Sequence, residues 1–245
     1  LLGEGTVVRD GREIPSAEAL RDAGLEPIAP RFREGLALMN ATSFHTAAAA
    51  LVAARARDVL AAAETAAAMV FEALGGHAEA LAAELHAARG QEGQRAVAAR
   101  LERRLEGSRL VRRQEPAAAR QDAYTLRCIP QILGAVADQL AAAEAVVERE
   151  LDGISDNPLF LVDERRVLHG GNFHGQPVAA ALDQMKLALV EIGVQSERRL
   201  ARLLDPLLNA GLPPFLVQRQ AGLHSGFMGL QYCASAMAAD NAVLA

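Results

Sequence analysis

The chain has no tryptophan, and only 4% of its 245 residues are aromatic. Sandwiches and barrels draw on aromatic and β-branched residues for their pleated faces, so this scarcity argues against them. It has only two cysteines, Cys128 and Cys233, far apart and in no CxxC pair. That excludes a disulfide framework and fits reduced thiols in the cytoplasm. A basic excess is lacking too: 25 Lys and Arg stand against 30 Asp and Glu, for a net charge of -5, so nucleic acid is not an expected partner. The longest apolar stretches are alanine-rich and broken by charges, and LLGEGTVVRDG lacks the basic and apolar regions of a signal sequence. A soluble cytoplasmic chain without a membrane partner is expected.

What is abundant is alanine, within a hydrophobic content of 51%, which suits closely spaced helices. Residues 1–15, with a turn at Asp10-Gly11, read as a small hairpin or an irregular entry, and Ser16 as the cap of a short helix that Gly24 ends. The pattern from Glu34 to about Leu74 predicts one long buried helix presenting Leu36, Phe44, Leu51, Val52, Val59, Met69 and Val70. Further helices are predicted over 78–89 and 91–105, followed by a charged connection over 107–119. Pro130 opens a helix whose face runs through Ile132, Val136, Leu140, Ala143, Val147 and Leu151 to Gly153. LFLV and RVL flank a DER turn as a second hairpin. Helices over 177–204 and from Phe227 onward complete the expectation: one all-α domain over 1–245, a long antiparallel helix bundle with small hairpins.

Several segments invite chemistry. Residues 100–113 (RLERRLEGSRLVRR) are arginine-rich but carry Glu102 and Glu106 at helical spacing, which reads as a solvated helix face followed by a loop. His169 and His174 lack HExxH geometry and a completing Cys or Glu, so no metal is expected. HGGNFHG lies between a strand and a helix, yet it matches neither GxGxxG nor GxxxxGK[ST]; a tight turn capped by Asn172 accounts for it. In QDAYTLRCIPQ, Gln121, Tyr124 and Arg127 recur every three residues, projecting an amide, a phenol and a guanidinium to one side. An arginine can clamp a carboxylate in two-point fashion and a phenol can carry a proton. The plainer alternative pairs Arg127 with Asp122 or Glu150.

Taken together, NATSFHTA (40–47), QDAYTLRCIPQ (121–131), ISDNPLF (154–160), HGGNFHGQPVA (169–179), RLLDPLLNAGLPPFLV (202–217) and GLHSGFMGLQ (222–231) resemble the aromatic amino acid ammonia-lyases and related aminomutases. The resemblance implies an all-α homotetramer of the fumarase and aspartase type, with active sites shared between subunits and an amino acid substrate. It also implies the prosthetic group 4-methylidene-imidazol-5-one (MIO), made from an Ala-Ser-Gly tripeptide. By this carry-over Asn40 meets the MIO oxygen, Tyr124 lies close to the substrate amine, Arg127 grips the substrate carboxylate and Gln121 contacts it beside Arg127. Phe173 faces the MIO ring, and Asn172 orients that turn or binds the carboxylate.

Three departures matter. Ala41 stands where the family has Gly after the asparagine, and Gln176 where many histidine lyases have Glu. No Ala-Ser-Gly occurs in residues 1–245. The reading is therefore an internal fragment of a longer lyase for histidine, phenylalanine or tyrosine, with a 2,3-aminomutase and a noncatalytic helical assembly module as alternatives.

Overall fold

The computed structural model describes residues 1–113, 121–220 and 222–245; part of the predicted 107–119 connection lies outside them. Chain packing yields two compact units, Leu1–Ser43 with Ile154–His174, and Phe44–Gly153 with Gly175–Ala245.

In the first unit, β1 (Thr6–Arg9) and β2 (Arg12–Pro15) pair antiparallel with Val7 opposite Ile14. Asp10 and Gly11 both take positive φ, as a two-residue hairpin turn requires. Helix α1 (Ser16–Asp22) follows at once, so Pro15 occupies the cap position and Ser16 is the first helical residue rather than the predicted cap. Ser16 is buried, and its N–H donates to the Gly5 carbonyl at 2.9 Å, a tertiary bond in place of a side-chain cap. Helix α2 (Glu34–Asn40) and the predicted second hairpin, β3 (Leu159–Leu161) with β4 (Arg166–Leu168), complete the unit.

The predicted 34–74 helix is two helices. At Ala41 ψ turns to 147°, and the Thr42 N–H donates to Ser155 Oγ at 3.3 Å instead of continuing the ladder. Helix α3 (Ser43–Ala73) then runs into the second unit. Its core face is Ala49, Ala53, Ala56, Ala63, Ala67 and Phe71, spaced at three, four or seven. The large side chains expected inside are outside: Phe44, Leu51, Val52, Val59 and Met69 are all exposed. Small residues face the neighbouring helices because that lets the backbones approach closely.

The predicted 78–89 helix also divides. Residues Ala78–Leu81 form a 3-10 turn, Ala82 is extended, and α4 (Ala83–Arg89) starts afresh. The 3-10 turn is anchored at its start, where the Ala78 N–H donates to the Arg112 carbonyl. Helices α5 (Glu92–Arg104), α6 (Tyr124–Arg127), α7 (Ile129–Asp152), α8 (Gln176–Leu204) and α9 (Met228–Leu244) follow. Pro130 sits in the first turn of α7. Leu133, Val136 and Leu140 of α7 share one core with Ala181, Met185 and Ala188 of α8, Val97 and Leu101 of α5, and the alanine face of α3.

Polar groups are buried among these helices. Glu64 of α3 is 2% exposed and receives Arg100 through Nε at 2.9 Å and Nη2 at 2.6 Å, with Arg104 at 3.4 Å. The expected solvated face over 100–113 is therefore corrected: Arg100 and Arg104 neutralise a buried carboxylate. That same carboxylate holds the Arg100 guanidinium above its ordinary pKa. His86 of α4 is 1% exposed between the Ala80 carbonyl, 3.0 Å from Nε2, and the Gln94 amide, 2.8 Å from Nδ1. Burial pushes its pKa down.

Helices α5 and α7 meet backbone to backbone. A Cβ on Gly93 would lie 2.2 Å from the Gly134 carbonyl oxygen, and one on Gly134 would lie 2.4 Å from the backbone of Gln94. Backbone cannot rotate away as a side chain can, so Gly134→Ala is expected to destabilise the protein by about 3 kcal/mol, measured by urea unfolding.

His86 sets a pH dependence. With the folded pKa depressed below the unfolded value, the unfolded state binds the proton first as pH falls. Stability is full above about 6.5 and declines below it, and His86→Gln is expected to flatten that decline in unfolding curves at successive pH values.

Candidate functional site

In the second unit, α6 is a single turn leading almost directly into α7. Tyr124 is its first residue and Arg127 its last, while Gln121 precedes the helix, outside regular secondary structure. The three still converge. Arg127 Nη1 donates to the Gln121 amide oxygen, and the guanidinium carbon lies 4.6 Å from the Tyr124 ring centroid, a cation–π contact. The plainer pairing of Arg127 with Asp122 or Glu150 is not what forms. Among the described residues Arg127 has no carboxylate partner, and its positive charge rests on a neutral amide and a ring. Tyr124 is 71% exposed, and its hydroxyl is unbonded among the described residues.

Asp122 is taken instead by His77 and Arg112. Its carboxylate accepts from the His77 backbone N–H at 2.7 Å, faces His77 Nδ1 at 3.0 Å, and accepts from Arg112 Nη2 at 3.1 Å. Arg112 Nε also donates to the Gly75 carbonyl. Beside this cluster an open cleft of about 560 Å³ is lined by His77, Glu79, Gln121, Asp122, Arg127 and Gln131, among others.

In the first unit, ISDNP is a hub. Arg33, at the cap position before α2, donates to the Asp156 carboxylate at 3.1 Å and to the Asn157 carbonyl. Ser155 Oγ holds Thr42, two residues beyond Asn40. Asn157 Oδ1 accepts from the Gly170 N–H at 2.6 Å, and Asn172 Nδ2 donates to the Ile154 carbonyl at 3.3 Å. The segment thus fastens the end of α2 and the GGNFH turn, and its Asn157–Pro158 peptide is cis. Asn172 does not cap α8: Gly175 holds the cap position, without a side-chain cap bond. Gly170 and Gly171 have no positive φ and open space beside them, so backbone strain does not explain them. Gly175 is explained, because a Cβ there would lie 2.6 Å from the His45 ring. Asn40 and Phe173 are exposed, and the Asn40 amide is unbonded among the described residues.

A family model for aromatic amino acid lyases matches residues 1–245. The chain belongs to the aromatic amino acid lyase family. It is 45% identical to a histidine ammonia-lyase of Geobacillus kaustophilus, over 99% of this chain and 48% of that protein. It is 43% identical to an MIO-dependent tyrosine 2,3-aminomutase of Streptomyces globisporus, over 98% of this chain and 48% of that one. The crystal structure of the tyrosine aminomutase from Streptomyces globisporus superposes with a TM-score of 0.90 at 41% identity, covering 99% of this chain and 49% of the other. Phenylalanine ammonia lyase from Rhodosporidium toruloides gives a TM-score of 0.88 at 32% identity, covering 98% and 37%. The chain spans about half the length of the curated relatives it matches.

These lyase and aminomutase structures agree with the all-α bundle described above. Within the family's motifs, Gln121, Tyr124 and Arg127 come together in one unit, while Asn40, Asn172 and Phe173 belong to the other. Sequence reasoning missed the supporting residues His77, Arg112, Asp122, Arg33, Ser155 and Asp156. Two of the six motifs contained Asp122, Ser155 and Asp156, but nothing in them names a partner tens of residues away. No group of three or more metal-ligating side chains occurs among the described residues.

Replacing Asp156 leaves Arg33 without its carboxylate. Asp156→Ala is expected to cost about 1–2 kcal/mol and to raise amide exchange over the 169–174 turn, read by hydrogen–deuterium exchange.

Proposed function

We propose that the protein is an MIO-dependent ammonia-lyase that eliminates ammonia from an aromatic L-amino acid (histidine, phenylalanine or tyrosine) to give the α,β-unsaturated acid. The observation that carries the proposal is Arg127: a half-buried guanidinium with no carboxylate partner among the described residues, held in place by Gln121 and the Tyr124 ring. Such a group is preset for two-point binding of a substrate carboxylate.

The residues present fit the prosthetic group, although no Ala-Ser-Gly lies within residues 1–245. The Asn40 amide, unbonded among the described residues, would donate to its oxygen, Phe173 presents an exposed ring, and Gly170 and Gly171 leave open space beside the turn. The group supplies an electrophilic carbon for the substrate amine. Arg127 and Gln121 bind and orient the carboxylate, Asn172 steadies its turn, and the free Tyr124 hydroxyl moves a proton near the amine. In the overall step a β-proton is removed, the Cβ–H electrons form the double bond, and the Cα–N electrons leave with ammonia.

A 2,3-aminomutase is the second reading, favoured by the likeness to the tyrosine aminomutase and by Gln176. We further propose a cytoplasmic homotetramer with shared active sites. Leu230, Tyr232, Met237, Val243 and Leu244 of α9 and Leu51, Val52, Val59 and Met69 of α3 are exposed, and such apolar stripes call for protein partners. The stretch 34–73 is apolar and long enough to cross a bilayer by composition alone. Glu64, buried on Arg100 and Arg104, argues for a protein setting instead.

The full-length protein is expected to release ammonia and an ultraviolet-absorbing acrylate from one of the three amino acids; no product from any of them overturns the reading. A β-amino acid product identifies the aminomutase. In that protein Arg127→Ala is expected to raise KM by about a hundredfold, and Tyr124→Phe to lower kcat by about a hundredfold with little change in KM, in steady-state kinetics.

A further inference from the structure

We infer that Asp122 is the positioning residue for the Gln121–Arg127 pair, acting through His77 and Arg112. The inference rests on the reading above, in which that pair meets the substrate carboxylate.

The segment 121–123 needs a tether. It lies outside any helix or strand ahead of α6, and among the described residues none of its backbone N–H groups bonds to another backbone group. What holds it is the Asp122 side chain, only 7% exposed and engaged at both oxygens. The partners are themselves fixed. The His77 backbone N–H follows Gly75 and Gly76, whose carbonyls accept from the side chain and the backbone N–H of Arg112. Asp122 therefore ties the end of α3, the strand-like residue Arg112 and the approach to α6 into one knot. Gln121 leaves that knot on one side and bonds to Arg127, so the guanidinium direction is set by the tethered segment as well as by its own helix. Tyr124 opens α6, and its carbonyl accepts from the Cys128 N–H at 3.0 Å, a bond made outside the tethered segment.

The two dependences can be separated. Loosening Asp122 should misdirect carboxylate binding while leaving the phenol in place. A residue that only stabilised the bundle would lower the melting temperature and leave KM alone.

The test uses the full-length protein with Asp122→Asn and, as a milder variant, His77→Ala, which keeps the backbone N–H bond. Steady-state kinetics and hydrogen–deuterium exchange are measured on the same preparations. For Asp122→Asn, exchange over 121–127 is expected to rise about tenfold or more while α7 and α8 stay protected. KM is expected to rise about tenfold or more with kcat within about threefold. His77→Ala should move both in the same direction by less, and it decides the matter if Asp122→Asn does not fold. Unchanged exchange over 121–127 overturns the tether, and raised exchange with unchanged KM overturns its role in binding. Absence of turnover by the unaltered protein overturns the lyase reading and with it that binding role, while exchange still decides the tether.

Discussion

The backbones of α5 and α7 touch at Gly93 and Gly134, and the second unit is arranged around that contact. It sets the depth to which α7 sinks between α5 and α8, and so the width of the alanine-lined core. It also governs the site, because α6 runs almost without interruption into the first turn of α7. A displacement of α7 would carry Tyr124 and Arg127 with it. The small residues of this chain are a geometric requirement that links helix packing to the direction of a guanidinium.

An alanine-rich interface fixes separation well but register poorly, since one alanine replaces another under a shift of a turn. Buried polar bonds supply the register. Glu64 ties α3 to Arg100 of α5, and His86 of α4 meets Gln94 of α5. Glu197 of α8 accepts from Ser235 of α9 at 2.9 Å, and together with Arg198 this holds its carboxyl below the ordinary range. Each bond has one geometry and a large penalty when broken, so each specifies a single alignment. Arg199 marks the cost of such burial: at 2% exposure, with Ser196 as its side-chain partner, its pKa is pushed down to about 10.

The sequence disclosed what depends on neighbours along the chain. Helical periodicity located α5, α7, α8 and α9, Asp10-Gly11 and DER located the hairpins, and the three-residue recurrence brought Gln121, Tyr124 and Arg127 to one side. It was silent where a distant partner decides. At the break between α2 and α3 the Thr42 N–H turns to Ser155, and the 3-10 turn ahead of α4 starts on a bond to Arg112. The buried face of α3 was misread because large apolar residues outrank alanine in any hydrophobic pattern. Close helix packing instead selects the small side chain and turns the large ones outward. Asp122 stood in plain view beside Gln121, yet its partners are 45 and 10 residues away.

The polar side chains of the family's motifs divide into two kinds, and the division bears on function. Ser155, Asp156, Asn157 and Asp122 spend their hydrogen bonds on the chain itself, holding the end of α2, the GGNFH turn and the approach to α6. Among the described residues Asn40 and the Tyr124 hydroxyl have no such bond and no carboxylate offsets the charge of Arg127, while Phe173 is exposed. A folded chain gains nothing in stability from leaving an amide and a phenol unbonded and a guanidinium on a neutral partner at the ends of well-fastened segments. That pattern is what preorganisation requires: fixed supports, and reactive or binding groups left open to a ligand.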